Sequence, residues 1–74
     1  MAVYRIYLVH DDGRLEPDEA FYCKEDHEAV TRLSPPERAD TRAELWQGGR
    51  LIAVAGSRRV SWIGAAQGTS DASL

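Results

Sequence analysis

The chain has little cysteine and no long apolar run, and each shortage excludes a class of protein. Cys23 is the single cysteine in 74 residues, so no disulfide can form within the chain and a reducing cytoplasm is the expected compartment. The longest apolar run, residues 51–55, is far shorter than the ~20 residues that a membrane-spanning helix needs. The first residues, MAVYRIYLVHDD, also lack the layout of a secretory signal. We therefore expect a soluble, cytoplasmic protein.

Positive charge is scarce as well. Nine Lys and Arg residues oppose twelve Asp and Glu residues, which gives a formal net charge of −3. Between residues 11 and 28, eight acidic residues are opposed only by Arg14 and Lys24. Such a surface repels phosphate groups, and the short Arg58-Arg59 pair does not reverse this. The composition therefore predicts neither nucleic acid nor a membrane as partner.

The first part of the chain has the pattern of a β-hairpin. Residues 2–9 are rich in β-branched and aromatic side chains, and Asp12-Gly13 after them is typical of a type I′ turn. A two-residue loop at that position pairs Tyr4 with Phe21 and places both on one face. Pro17 lacks an N–H group, so the second strand is expected to be an edge strand or to carry a bulge.

A short helix is predicted after this hairpin. It begins at Glu25 or Asp26, where a carboxylate suits the positive end of the helix dipole. It ends at Ser34, because a proline disfavours helical backbone in the residue before it. The stretch from Ser34 to Glu37 also has the form of a capping box that opens a further helical turn.

A second hairpin is the clearest local signal. Residues 43–47 and 50–54 are predicted strands around Gly48-Gly49, a pair suited to a type I′ turn with positive φ at both positions. The predicted fold is therefore α+β, with the order ββαββ: a four-stranded, mostly antiparallel sheet with one short helix on one face. Residues 1–56 form the single predicted domain. Residues 57–63 are an extra strand or docking arm, and residues 64–74 a disordered tail.

Several short segments resemble a group of short uncharacterised bacterial proteins that have a hairpin, a short helix and a closing "ELWQG" hairpin. The resemblance covers about residues 3–54 and implies the same fold, but it implies no activity. A weaker resemblance, in the order of elements only, is to small antitoxin-type domains. The segments that carry the first resemblance are YRIY at 4–7, DG at 12–13, FYC at 21–23, DHEA at 26–29 and ELWQG at 44–48.

Reactive side chains are present but not in patterns that indicate chemistry. Cys23 and His27 are four residues apart, yet the thiol is predicted to face the core and the imidazole to be exposed. In His10-Asp11-Asp12 the adjacent carboxylates of a tight turn point in different directions, which does not suit calcium. The serines at 34, 57 and 61 lack the surroundings of a nucleophile elbow. We predict no catalytic residue, no metal, no cofactor and no enzymatic activity.

The second face of the sheet is the predicted functional surface. Alternation along the strands places Trp46 and Leu51 opposite to Leu45 and Ile52, and one short helix covers only one face. This face is either covered by the chain's own tail or is a protein interface. We predict a small protein-interaction module that forms a homodimer. The alternative is an antitoxin-like regulator that binds a basic partner through its acidic body and C-terminal arm. The predicted interface residues are Tyr7, Tyr22, Trp46, Leu51 and Trp62.

Overall fold

The computed structural model describes residues 1–56 and 60–63 of the chain. The predicted α+β class is confirmed, but the sheet has five strands instead of four. The fifth strand arises because the segment after Gly56 returns and pairs with the strand before it. The tail predicted for residues 64–74 lies outside the described residues. The elements are β1 (Ala2–His10), β2 (Leu15–Cys23), α1 (Asp26–Val30), β3 (Thr41–Gln47), β4 (Arg50–Ala55) and β5 (Val60–Trp62).

The strands lie in the order β2-β1-β3-β4-β5, and every neighbouring pair is antiparallel. β1 therefore lies between β2 and β3, and the segment that contains α1 connects those two flanking strands. Helix α1 packs on one face of the sheet, against β2 and β4. We call the face that carries α1 the inner face and the opposite one the outer face.

The first hairpin has the predicted pairing of Tyr4 with Phe21, but its loop differs from the prediction. The loop has three residues, and only Gly13 has a positive φ, of 88°. The type I′ prediction is wrong here: the Asp12 carboxylate accepts a hydrogen bond from the Arg14 N–H at 3.0 Å, which stabilises a longer loop without positive φ at Asp12. A bulge between Ile6 and Tyr7 leaves Asp18 unpaired and restores the predicted register beyond it.

Helix α1 is shorter than predicted, and residues 34–40 form no second helical turn. Glu25 has extended backbone angles before the helix, and the helix proper ends at Val30. A turn then follows, in which the Leu33 N–H donates to the Val30 carbonyl at 3.0 Å. The capping-box prediction for residues 34–37 is wrong, since two consecutive prolines hold this segment away from helical hydrogen bonding.

The second hairpin turns at Gly48-Gly49 as predicted, but with a different turn type. Only Gly48 has a positive φ, of 62°, which is the pattern of a type II′ turn. A bulge in this pair of strands aligns Leu45 with Ala53 and leaves Ile52 as the extra residue. As a result, Ile52 and Ala53 are consecutive and yet both fully buried.

The hydrophobic core lies between the inner face and the helical segment. Tyr4 and Phe21 stack at its centre with ring centroids 6.0 Å apart, and Leu33 is brought down onto it by the turn after α1. The guanidinium of Arg32 covers the Phe21 ring at 4.4 Å from its centroid, in a cation–π contact. The buried cluster consists of Tyr4, Ile6, Phe21, Ala29, Val30, Leu33, Ala43, Leu45, Ile52, Ala53 and Ala55.

Candidate functional site

The outer face brings most of the predicted interface residues together. Trp46 is paired with Arg5 on one side and with Leu51 on the other, so the three lie in one row across three strands. The described part of the chain places no helix on this face, because α1 packs on the inner one. We define the outer-face patch as Val3, Arg5, Tyr7, Tyr22, Arg42, Glu44, Trp46, Leu51 and Val54.

The patch is apolar over much of its area and is reached by solvent. Tyr22 is 70% exposed and Val3 is 36% exposed. Tyr7, Trp46 and Leu51 are half-buried by their neighbours in the sheet. Four of the five predicted interface residues therefore share one accessible surface.

The polar edge of Trp46 is satisfied within the patch. The indole Nε1–H donates to Glu44 Oε1 at 3.1 Å, and Arg42 Nε donates to the other carboxylate oxygen at 3.3 Å. A half-buried indole on a sheet surface is tolerated when its N–H has an acceptor and its ring has apolar neighbours. Glu44 therefore allows a tryptophan on the face that α1 leaves open.

Trp62 does not belong to the outer-face patch. It is paired with Ala53 on β5, and its side chain packs against the inner-face core. The prediction that it accompanies Trp46 is wrong, because β5 continues the sheet instead of lying across its outer face. The sequence did carry a signal for the side on which Trp62 lies. In Val60-Ser61-Trp62, strand alternation places Ser61 on the side opposite to both apolar residues.

A partly buried polar connection joins the start of α1 to the sheet. The Tyr4 hydroxyl donates to Asp26 Oδ1 at 2.7 Å, and Arg50 contacts both oxygens of the same carboxylate at 3.2 Å. Burial first, and then this hydrogen bond, raise the pKa of Tyr4 to about 12. The hydrogen bonds from Arg50 and then from Tyr4 lower the pKa of Asp26. Sequence reasoning missed this connection because residues so far apart in the chain carry no local signal.

A cleft opens on the inner face, beyond the part that α1 covers. Its volume is about 680 Å³, and its apolar floor is formed by Ile6, Leu8 and Ala43. The segment 34–38, which contains Pro35 and Pro36, forms one wall. No pocket of this kind was predicted, because it exists only once this segment stands beside the sheet. We call it the acidic cleft for its rim, which carries Glu16, Asp18, Glu19 and Glu37.

The basic side chains at the acidic cleft are already neutralised by carboxylates. Arg32 Nη2 lies 2.8 Å from Glu19 Oε2, and Arg38 Nη2 lies 3.1 Å from Asp40 Oδ2. The guanidinium of Arg38 holds the pKa of the Asp40 carboxyl below its usual range. His10 Nε2 lies 2.8 Å from Glu16 Oε1, across the hairpin.

The reactive side chains of Cys23 and His27, which the sequence analysis considered, lie away from both the outer-face patch and the acidic cleft. Cys23 packs against the core, and the exposed His27 has its Nδ1 3.1 Å from Glu25 Oε1. Across residues 1–56 and 60–63, no three His, Cys, Asp or Glu side chains are grouped as they would be to hold a metal ion. In the same ranges, no helix combines the length and the apolar character needed to cross a membrane.

The resemblance to short bacterial proteins with a closing ELWQG hairpin remains a prediction, as does the weaker resemblance to antitoxin-type domains. What the chain does has to be argued from its two surfaces, the outer-face patch and the acidic cleft. Comparison of the chain with known protein families, with curated proteins and with solved structures finds no match.

Proposed function

We propose that this protein is a small cytoplasmic interaction module that forms a homodimer through its outer-face patch. The observation that carries the proposal is a group of aromatic and aliphatic side chains, interspersed with Arg5 and Glu44, on the face without a helix, with Tyr22 70% exposed. Aromatic side chains are enriched in protein interfaces, where their large area is buried at a low cost in conformational entropy.

The size of the outer face suits a dimer of this kind. Five strands about 4.8 Å apart span ~24 Å, and strands of three to nine residues run ~10–30 Å, which gives a surface of ~500 Å². A stable interface takes ~800 Å² from each partner. The face therefore accounts for most of what one copy would contribute. Association also adds apolar burial to a chain of 74 residues, whose own core is small.

The charge distribution favours a second copy of this chain over a basic partner on this face. The outer-face patch carries Arg5 and Arg42 against Glu44, so it is close to neutral although the whole chain carries −3. Two copies can therefore approach through this face with little repulsion. In a two-fold arrangement each patch meets its own copy.

The experiment that tests the proposal places a charge at Tyr22, the most exposed aromatic side chain of the patch, near the end of the edge strand β2. We expect the native chain to have twice its mass of 8.2 kDa in light scattering. Tyr22→Lys is expected to give the monomer, because a lysine buried in an interface loses its hydration without gaining a partner. Thr31→Lys, which adds the same charge on the exposed end of the helical segment, is expected to leave the dimer intact.

A monomeric native chain at high micromolar concentration would contradict the proposal. So would a dimer that survives Tyr22→Lys but not Thr31→Lys, because the interface would then lie on the helical side. Circular dichroism of both variants keeps the comparison valid, since each replaced side chain is exposed and the fold is expected to persist.

The alternative function, a regulator that neutralises a basic partner, is favoured by a different observation. The carboxylates of β2 are concentrated on the rim of the acidic cleft, on the side of the sheet away from the outer-face patch. The C-terminal arm that this alternative also invokes is the segment 57–63, of which Val60–Trp62 form β5 at the edge of the sheet.

A further inference from the structure

We infer that the acidic cleft binds an extended basic segment of a partner protein, with one apolar side chain on the cleft floor and Lys or Arg side chains at its rim. This site is on the inner face, so it does not depend on dimerisation through the outer-face patch. The inference concerns the chemistry of a second partner, and three features of the cleft carry it.

The first feature is an apolar floor that α1 leaves uncovered. The helix is fastened to the end of the sheet that holds Tyr4, through Asp26, whereas the floor is formed further along by Ile6, Leu8 and Ala43. Leu8 is only half-buried, so part of its side chain is available to a ligand.

The second feature is the size and shape of the cleft. Ligand pockets in proteins typically have volumes of ~300–1,000 Å³. A cleft of about 680 Å³ therefore admits an apolar side chain together with a few residues of main chain. Pro35 and Pro36 stiffen the wall, because the proline ring fixes φ.

The third feature is an uncompensated negative charge. Among the described residues, neither Asp18 nor Glu37 has an ion-pair partner, while Arg32 and Arg38 are both held by carboxylates. A cationic side chain that enters the cleft thus meets free carboxylates, whereas a phosphate or an acidic peptide is repelled. The apolar floor and the acidic rim of the cleft together favour a basic segment that carries one apolar side chain.

The test measures binding of a fluorescein-labelled peptide that carries Arg-Leu-Arg between Gly-Ser flanks, by fluorescence polarisation. We expect saturable binding that weakens as salt is added. The double variant Asp18→Asn with Glu37→Gln is expected to lose about three- to tenfold in affinity, as two exposed charges would.

The matched control removes the same charge elsewhere on the same side of the protein. Glu25→Gln with Glu28→Gln neutralises two exposed carboxylates, one just before α1 and one within it, that do not line the cleft, and we expect an affinity change of less than about twofold. An equal loss in both double variants would overturn the inference, because attraction would then come from the net charge of the whole chain.

A second peptide tests the floor. Arg-Ser-Arg in the same flanks has the same charge without the apolar anchor, and we expect it to bind more weakly. Equal binding of the two peptides, or no binding of Arg-Leu-Arg at low salt, would overturn the inference.

Binding of Arg-Leu-Arg is also measured with the Tyr22→Lys variant, which separates this inference from the dimer proposal. If that variant binds the peptide while the native chain proves to be monomeric, the dimer proposal fails and this inference stands.

Discussion

The two faces of this sheet are built from the same strands and from similar side chains, yet one is a core and the other is a surface. Tyr4 and Phe21 on the inner face are buried, whereas Tyr7 is half-buried and Tyr22 is 70% exposed on the outer face. Alternation along each strand supplies both sets. The two faces differ in whether another element packs on them, because the helical segment with Leu33 lies on the inner face only. Aromatic content alone therefore does not identify the core of a small sheet protein.

The faces also differ in how their polar groups are held. On the inner face, the Tyr4 hydroxyl and the Asp26 carboxylate are joined in a network that is partly shielded from water. On the outer face, Trp46, Glu44 and Arg42 form a chain of hydrogen bonds within one strand. The inner network connects two elements and supports the fold, whereas the outer one only orients a side chain.

The largest expected effect is the loss of a leucine from the inner face. Leu45 is fully buried, so Leu45→Ala is expected to lower the free energy of unfolding by ~2–5 kcal/mol through lost burial and the cavity left behind. Leu51→Ala removes the same atoms from the half-buried outer face and is expected to cost less than half as much in the monomer. Urea unfolding at low protein concentration measures both.

Equal costs for the two leucines in the monomer would show that the outer face is as well covered as the inner one. The proposed dimer adds a second readout. At high protein concentration the unfolding midpoint of Leu51→Ala should fall further below that of the native chain than it does at low concentration. The reason is that association stabilises the folded state of the native chain by mass action.

The next expected effect is a loss of stability at alkaline pH that comes from the inner face. The pKa of Tyr4 is about 12 in the folded chain and ~10 in an unfolded one, so only the unfolded state releases this proton between those values. The contribution is fully present below pH ~10 and falls as the pH rises towards 12, by roughly 1–3 kcal/mol. Denaturant unfolding across this range measures it.

Tyr4→Phe is the control for this pH dependence, since it keeps the ring and removes the ionisable hydroxyl. The variant is expected to be less stable at neutral pH by ~1 kcal/mol, because a buried hydrogen bond to Asp26 is lost. It should also lose stability less steeply above pH ~10. A slope in Tyr4→Phe identical to that of the native chain would contradict the assignment.

The smallest expected effect concerns the turn that decides which side chains reach each face. Gly48 has a φ of 62°, so Gly48→Ala is expected to cost ~1 kcal/mol or somewhat more. Gly49 has no positive φ, and a Cβ there meets nothing within 4 Å. Gly49→Ala is therefore expected to be neutral or to stabilise by up to ~1 kcal/mol through the unfolded state. Thermal unfolding distinguishes the two signs.

Equal destabilisation by the two alanine variants would favour the type I′ turn that the sequence suggests. This turn also sets the register of β3 and β4, since a slip of one residue would move Trp46 to the inner face and Leu45 to the outer one. The difference between the faces thus depends on a loop that belongs to neither of them.

Local patterns were sufficient where the determining interactions lie close together in the chain. The pairing of Tyr4 with Phe21 follows from a short loop, and the placement of Trp46 opposite to Leu45 follows from strand alternation alone. Helix α1 also begins next to Glu25 as predicted, although the Glu25 side chain makes no capping hydrogen bond to the first turn. The turn types were not determined in this way, because a Gly-Gly or Asp-Gly pair is compatible with more than one set of φ angles.

By itself, the sequence determined the α+β class, the two hairpins and the faces of Tyr4, Leu45 and Trp46, since all of these depend on neighbours in the chain and on a period of two. Only the tertiary structure decided that Val60–Trp62 completes the sheet as β5 and turns Trp62 towards the inner face. It also decided that Arg50 meets Asp26 and that the acidic cleft forms beside Pro35. These contacts join distant segments, so their free energy depends on the packing of the whole domain and leaves no local pattern in the chain.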